Sequence, residues 1–502
     1  MSDKTGTTSR PNLVFIFADQ MRGMDMGCAG NHQIHTPNLD RLAGEGIRFS
    51  NAVSCLASCT PHRACLISGR YPTTTGVLSN DVPLPIDGKG IGHALRAGGY
   101  KTGWVGKWHL FGPAGYRRTF MPPGEHRHGF DALWVGVNCT HDYLDGWYYL
   151  NDDPSPVRFY GYEPDIQTDI SLQYISEHKN NPFSLFLSYG PPHDPYHTVP
   201  NRWKDMYDLE MLEFRPNVPR DIFNYPTCVP GCCKPVDTYL SPEEVVEWHK
   251  RYGFDKSIGR GSMPNTPDLI MLRDYYAAIS ALDHNVGRIL DHLEQCGIAD
   301  NTIVVFTSDH GDMLFSQGAF QKVHPWEESI NVPFILRYPK EVPAGTTSRP
   351  FNTPDIMPTL MELLGLPVPD YCEGMNFAPL IRGEAQKTPD AAYIMCPWEW
   401  NLPAYRGIRT ERYTYAESMA APIILYDNQE DPCQLRNLID DTHSSELLKN
   451  LKKQCHDLAE NKNIPFESWS VISRRLDEVN RAWVERYGET IKPTAWDFMR
   501  RK

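Results

Sequence analysis

The chain lacks any apolar run long enough to cross a bilayer. No stretch of its 502 residues approaches the roughly 18 consecutive apolar positions that a membrane helix needs. It has no internal repeat and no low-complexity tract, which excludes solenoids and fibrous assemblies. Positive charge is in deficit, with 49 Lys and Arg against 62 Asp and Glu and a net of −13. Nucleic acid is thereby excluded as the main partner, because phosphate binding runs on clustered cations. A local basic pocket can still hold one small anion. Residues 1–10 lack the charged, apolar and small-residue succession of a secretory signal, and the 13 cysteines are an odd number. Both point to a cytoplasmic chain with reduced thiols.

What is present is an ordinary globular composition, 41% hydrophobic and 22% charged. Five short apolar runs read as strands buried on both faces: Leu13–Ala18, Thr102–Gly106, Ser184–Tyr189, Ile303–Ser308 and Pro333–Arg337. Amphipathic helices lie between them, over Asn38–Gly46 and over Asp268–Gln295. The longer one carries Met271, Tyr275, Ala278, Ile279, Leu282, Val286, Ile289, Leu290 and Leu293 at helical spacing. The alternation predicts an α/β fold, a large mixed and mostly parallel sheet sandwiched by helices, over residues 1–385. Within it, 201–267 is Pro-rich and irregular and reads as a loop excursion over the active face. From 386 short strands follow at hairpin spacing, then a helix over Ser444–Glu460. This predicts a small C-terminal α+β subdomain over 386–502, whose tail from Arg474 is left to pack on a neighbour or a second subunit.

The sharpest local feature is Ser58-Cys59-Thr60-Pro61-His62-Arg63, running on to Gly69-Arg70. Pro61 suits the first helical position and Gly69 a C-cap, so Cys59 falls at or just before a helix N-terminus. The positive end of the dipole there favours an oxyanion and lowers a thiol pKa, and Arg63 one turn on adds a fixed cation. A buried core cysteine at a helix start accounts for the same spacing. Two acidic pairs directly follow apolar strands, Asp19-Gln20 and Asp309-His310. Two carboxylates, a carboxamide oxygen and an imidazole at matching strand ends make a ligand set for one divalent cation. Lys107 and His109 end another strand, His193 follows a fourth, and Lys322 lies 12 residues beyond His310. Together they bring cations and proton-transfer groups to one rim. Trp134, His141, Tyr143, Trp147, Trp398 and Trp400 lie in segments that read either as a rim for sugar or aryl rings or as core. Cys228, Cys232 and Cys233 hint at a metal or disulfide staple, but no second half with His or Cys spacing accompanies them.

With these residues in this order, the sequence resembles the formylglycine-dependent type I sulfatases of the alkaline phosphatase superfamily. Cys59-Thr60-Pro61-His62-Arg63 matches the family's C-x-P-x-R modification signature, and the resemblance covers most of the chain. It implies that a separate maturation enzyme oxidises Cys59 to formylglycine. The hydrated aldehyde would attack sulfur, displace the alcohol and then expel sulfate. Asp19, Gln20, Asp309 and His310, with Cys59, map onto the metal site. Arg63 would stabilise the nucleophile, and Lys107 and Lys322 would clamp sulfate oxygens. His109 would bind the formylglycine hydroxyl, and His193 would protonate the leaving alcohol. The implied cofactor is one divalent metal, calcium first, with manganese or magnesium as alternatives. The implied substrate is a small sulfated sugar or an aryl or alkyl sulfate. Two departures stand out. Gln20 and His310 replace the more common Asp and Asn, a variant also seen in phosphonate monoester hydrolases and phosphodiesterases of the superfamily. Asn331 stands where Arg is common. Hydrolysis at phosphorus is therefore the alternative activity, and an inactive anion-binding protein with unmodified Cys59 the alternative of another class. A homo-oligomer is compatible with the tail.

Overall fold

The computed structural model describes residues 10–219, 269–398, 403–488 and 491. The run Leu-Val-Phe-Ile-Phe-Ala forms the centre of strand β1 (Asn12–Asp19), every residue of which is buried. A strand apolar on both faces belongs inside a parallel sheet. It lies between two parallel neighbours, β7 (Phe183–Pro192) and β8 (Thr302–Ser308). The ten-stranded sheet runs β10-β2-β9-β8-β1-β7-β3-β4-β5-β6. In it β2 is Ile47–Phe49, β3 Lys101–Lys107, β4 Leu133–Val137, β5 Asp145–Leu150, β6 Val157–Tyr160, β9 Phe334–Arg337 and β10 Gly345–Thr347. The expected run at Pro333–Arg337 is a strand, but it pairs antiparallel with β8, so the mixed character begins one strand from the centre.

Helices cover both faces. On one, α1 (Pro37–Gly44), α3 (Glu163–His178) and α4 (Leu269–Gln295) pack against the alternate residues Val14, Ile16 and Ala18. All nine apolar positions read from the sequence of α4 are buried. On the other, α2 (Cys59–Ser68) packs with Leu13, Phe15 and Phe17. Parallel pairing then carries function. Asp19 is level with Pro192, Ala18 with Ser308, and Gly106 with Ser188. Four strand ends thus open on one edge, where ligand sites of such sheets lie. At Gly106, φ is +106° and a Cβ would fall 2.0 Å from the Ser188 carbonyl oxygen, so only glycine lets β3 close on β7 there and aim Lys107.

Residues 133–160 add three strands to the main sheet. Trp134 and Tyr143 are core, Trp147 is half-buried, and Trp400, Cys228, Cys232 and Cys233 lie outside the described residues. Only 201–219 of the expected loop excursion is described, as short helical turns and coil. The C-terminal segment forms a four-stranded antiparallel sheet, β11 (Ala391–Cys396), β12 (Tyr405–Thr410), β13 (Tyr413–Ser418) and β14 (Pro422–Asp427). It is followed by α5 (Ser445–Asn461) and α6 (Trp469–Tyr487). The tail helix packs on its own chain through one residue in particular. Trp483 packs edge-on against Phe111 and Tyr116 of the same chain, at centroid separations of 5.1 and 4.7 Å. The ten described cysteines are free thiols. Among the described residues no helix is long and apolar enough to cross a membrane.

Glu163 opens α3 beside a cavity of about 10 Å³, room for one water, lined also by Gly106, Val135, Tyr148 and Gln167. Burial pushes its carboxyl pKa up to about 8; Asp142 adds to this and Lys107 opposes it. The folded state therefore holds a proton that the unfolded chain releases near 4.5, and stability falls as pH rises from 4.5 to 8. Glu163→Gln, which cannot ionise, is expected to match wild type in Tm below pH 4.5 and to exceed it increasingly up to pH 8. A Tm difference constant across that window would show that Glu163 is ionised in the fold.

Candidate active site

Ser58 is extended (φ −152°, ψ 146°) and caps α2, which begins at Cys59 and stops at Gly69 in the left-handed region. Pro61 is thus the third helical residue, not the first. Proline is tolerated throughout the first turn because those N–H groups have no intrahelical acceptor. The helix end is not wholly open to an anion. Asn80 Oδ1 accepts from the Thr60 N–H at 3.0 Å and from the Ser58 hydroxyl at 2.9 Å.

Around Cys59 the strand ends converge. One ligand atom from each of Asp19, Cys59, Asp309 and His310 lies within 4.8 Å of the others, and all four residues are buried. His310 Nδ1 donates to the Gly311 carbonyl at 2.9 Å. With Nδ1 engaged there, Nε2 faces Asp19 and Asp309, 3.5 Å from each, and Cys59 Sγ at 3.3 Å. Two carboxylates crowded together in a dry site repel unless a cation lies between them, so this donor set, completed by an imidazole nitrogen, fits a divalent metal. Gln20 stands beside it. Its side-chain amide donates to Asp312 at 2.7 Å and to Tyr196 Oη at 3.4 Å, which turns Oε1 into the site.

A ring of cations surrounds the carboxylates. Arg63, fully buried, donates to Asp19 at 3.0 Å, Asp309 at 3.2 Å, Ser188 Oγ at 2.8 Å and the Lys107 carbonyl at 2.8 Å. Lys107 Nζ lies 2.6 Å from Asp19 and 3.7 Å from Cys59 Sγ. Lys322 Nζ lies 3.1 Å from the same sulfur, 3.1 Å from Gln20 Oε1 and 2.9 Å from His193 Nε2. The electrostatics follow from these contacts. Burial and the Cys59 sulfur press upward on the Asp19 pKa, but Lys107, His193 and Arg63 together hold it well below the usual carboxylate range. Burial, with Asp19 beside it, raises Asp309. Burial opposes a thiolate at Cys59, yet Lys107, Lys322 and His310 bring its pKa well below the ordinary thiol value.

Every site residue singled out in the sequence comes to this edge. His109 sits at φ +58° and hydrogen-bonds Asp81 through Nε2 at 3.2 Å. His193 donates from Nδ1 to the Asp194 carbonyl at 2.8 Å. The sequence did not single out the supporting residues. Asp81 orients His109, Asp312 with Tyr196 orients Gln20, and Ser188 holds Arg63. Ser54 Oγ donates to the Asp309 carbonyl at 2.7 Å and lies 2.9 Å from His62 Nδ1. None carries a motif. Asp312, three residues past Asp309, was the one within reach of a spacing argument. Trp398, offered as a rim aromatic, donates its Nε1 to the Leu78 carbonyl at 2.7 Å and stands edge-on to Trp469. Asn331 donates to the Ser50 carbonyl at 3.1 Å, a local tie between strands.

The chain matches the sulfatase family over residues 11–366, and over 316–461 the family described as N-sulphoglucosamine sulphohydrolase, C-terminal. An ulvan-active sulfatase of Formosa agariphila is 36% identical over 467 residues, 90% of this chain and 82% of that one. A solved structure in complex with its substrate D-glucosamine-2-N,6-O-disulfate is 26% identical, with a TM-score of 0.74 over 91% of this chain and 98% of the other. The phosphonate monoester hydrolase of Agrobacterium radiobacter, 22% identical with a TM-score of 0.68 over 90% of this chain and 96% of that one, shares the fold. With a match across most of its length and a curated relative above one-third identity, this chain belongs to the sulfatase family of sulfuric ester hydrolases.

Proposed function

We propose that the protein hydrolyses a sulfate monoester of a carbohydrate, using a formylglycine made from Cys59 by a separate maturation enzyme. The observation that carries this reading is the position of the Cys59 sulfur, between 3.1 and 3.7 Å from Lys322, His310, Asp19 and Lys107. Conversion is a two-electron oxidation of the thiol followed by exchange of sulfur for oxygen. It lowers the mass of the peptide spanning Ser58–Arg63 by about 18 Da, which mass spectrometry of protein co-expressed with a maturation enzyme reads directly. An unchanged mass under those conditions removes the nucleophile.

Formylglycine supplies a hydrated aldehyde as nucleophile, and a divalent cation supplies charge neutralisation at the sulfate oxygens. The rest falls to the chain. Asp19, Gln20, Asp309 and His310 hold the cation. Arg63 keeps Asp19 and Asp309 ionised and in place. Lys107 and Lys322 are placed to donate to sulfate oxygens whose charge grows in the transition state. His109, fixed by Asp81, is placed to hydrogen-bond the formylglycine hydroxyl. His193, anchored on Asp194, is the candidate general acid for the leaving oxygen.

Calcium is the first ion to test, against manganese and magnesium. Asp309→Ala removes one of the two carboxylates and is expected to lower bound metal to a small fraction of wild type by elemental analysis. Full metal content in that variant would strike Asp309 from the ligands. The Gln20–His310 pair also favours a second reading, hydrolysis of phosphonate monoesters or phosphodiesters. A kcat/KM for an aryl phosphonate far above that for the matching aryl sulfate would replace the first reading with this one.

A further inference from the structure

We propose that His141 is a specificity-determining residue whose ring nitrogen hydrogen-bonds a sugar hydroxyl next to the scissile sulfate. The inference rests on the sugar-sulfatase reading above and names a contact to the alcohol side of the substrate. His141 follows the C-terminal end of β4, on the same sheet edge as Lys107 and His193. Its ring lies flat on that of His193, with centroids 4.4 Å apart and planes 11° from parallel. His193 Nε2 is 2.9 Å from Lys322 Nζ, which is 3.1 Å from the Cys59 sulfur. One ring thickness thus separates His141 from the group assigned to the leaving oxygen.

The turn that carries it is tied down. Thr140 Oγ1 donates to Asp142 at 2.8 Å, and Asp142 pairs with Arg118 at 2.9 Å. Tyr143 stands edge-on to the ring at 6.2 Å. Held this firmly, His141 still keeps a buried Nε2 with no hydrogen-bond partner among the described residues. A buried polar atom left unpaired is costly, and a fixed ring next to a reaction centre is where a ligand satisfies it. The chemistry of that ligand follows from the charge. Burial, with the cations His193 and Lys107 beyond it, keeps the ring neutral. A neutral imidazole has one donor and one acceptor nitrogen and matches a hydroxyl, which is both. It does not match a second sulfate, which needs a cation.

The test compares His141→Phe, which keeps a flat ring on His193 and deletes the nitrogens, with His141→Gln, which keeps polar atoms and deletes the ring. Both are assayed on the mono-O-sulfates of glucose, galactose and N-acetylglucosamine and on 4-nitrophenyl sulfate, whose ester carbon has no neighbouring hydroxyl. The readout is the ratio of kcat/KM for the best sugar sulfate to that for the aryl sulfate, which does not depend on the active fraction of each sample. The Phe variant is expected to lower the ratio roughly tenfold, chiefly through KM, while Gln keeps it within about threefold. An unchanged ratio in the Phe variant, or an equal fall in the Gln variant, overturns the contact. Wild type that turns over the aryl ester and none of the sugar sulfates overturns it too, while leaving the sulfatase reading in place. Wild type with converted Cys59 that turns over no sulfate at all defeats that reading itself.

Discussion

Cys59→Ala is expected to reduce sulfate-ester turnover to background, a loss of at least about 10⁴-fold, because it removes the thiol whose oxidation and exchange for oxygen create the nucleophile. The fold should survive. The side chain occupies the first position of α2, where alanine is a good helix former, and no backbone partner is lost. Deleting one small buried group costs on the order of 1–2 kcal/mol in this setting. The cost should be offset in part, because a sulfur held toward the thiolate form no longer faces Asp19. Cys59→Ser is isosteric and should be as inactive unless the maturation enzyme oxidises serine. Activity retained in the alanine variant, measured against a thermal melt that shows the variant folded, would mean that another group attacks sulfur.

Arg63→Ala is expected to cost more stability than any other single truncation in the site. The guanidinium is fully buried and spends its donors on two carboxylates, a hydroxyl and a carbonyl, with its face over Phe17 at 4.9 Å. Its loss leaves Asp19 with Lys107 alone and takes from Asp309 its guanidinium in a dry site; breaking such a buried pair typically costs about 3–5 kcal/mol. Two observations separate this account from simple loss of packing. Excess divalent cation should return part of the Tm in the alanine variant, because it neutralises the same pair. Arg63→Lys should recover little, since one ammonium cannot span both carboxylates and Ser188 together. A Tm drop insensitive to metal, or full rescue by lysine, would show that charge neutralisation is not what Arg63 does.

The buried strands were legible because a sheet covered on both faces leaves runs with no polar alternation; Leu13–Ala18 and Ile303–Ser308 announce themselves by that alone. The antiparallel turn of β9 was not legible, since a short apolar run carries no mark of direction. Strands β4 to β6 hid in a segment rich in aromatic and polar residues that reads equally as a rim. The tail helix has an apolar stripe, but no pattern within it says that Trp483 lands on Phe111.

Within the site, the sequence alone determined the placement of Cys59 at a helix start and the acidic strand ends. A helix start and a strand end are local events, and their residues are read from neighbours in the chain. The pairing of Asp19 with Arg63 and Lys107, the approach of His310 Nε2 to Asp19, the support of His109 by Asp81 and the stack of His141 on His193 were decided only by tertiary structure. These contacts join residues dozens to hundreds of positions apart. Their strength comes from removing water around charges, and burial is a property of the folded chain.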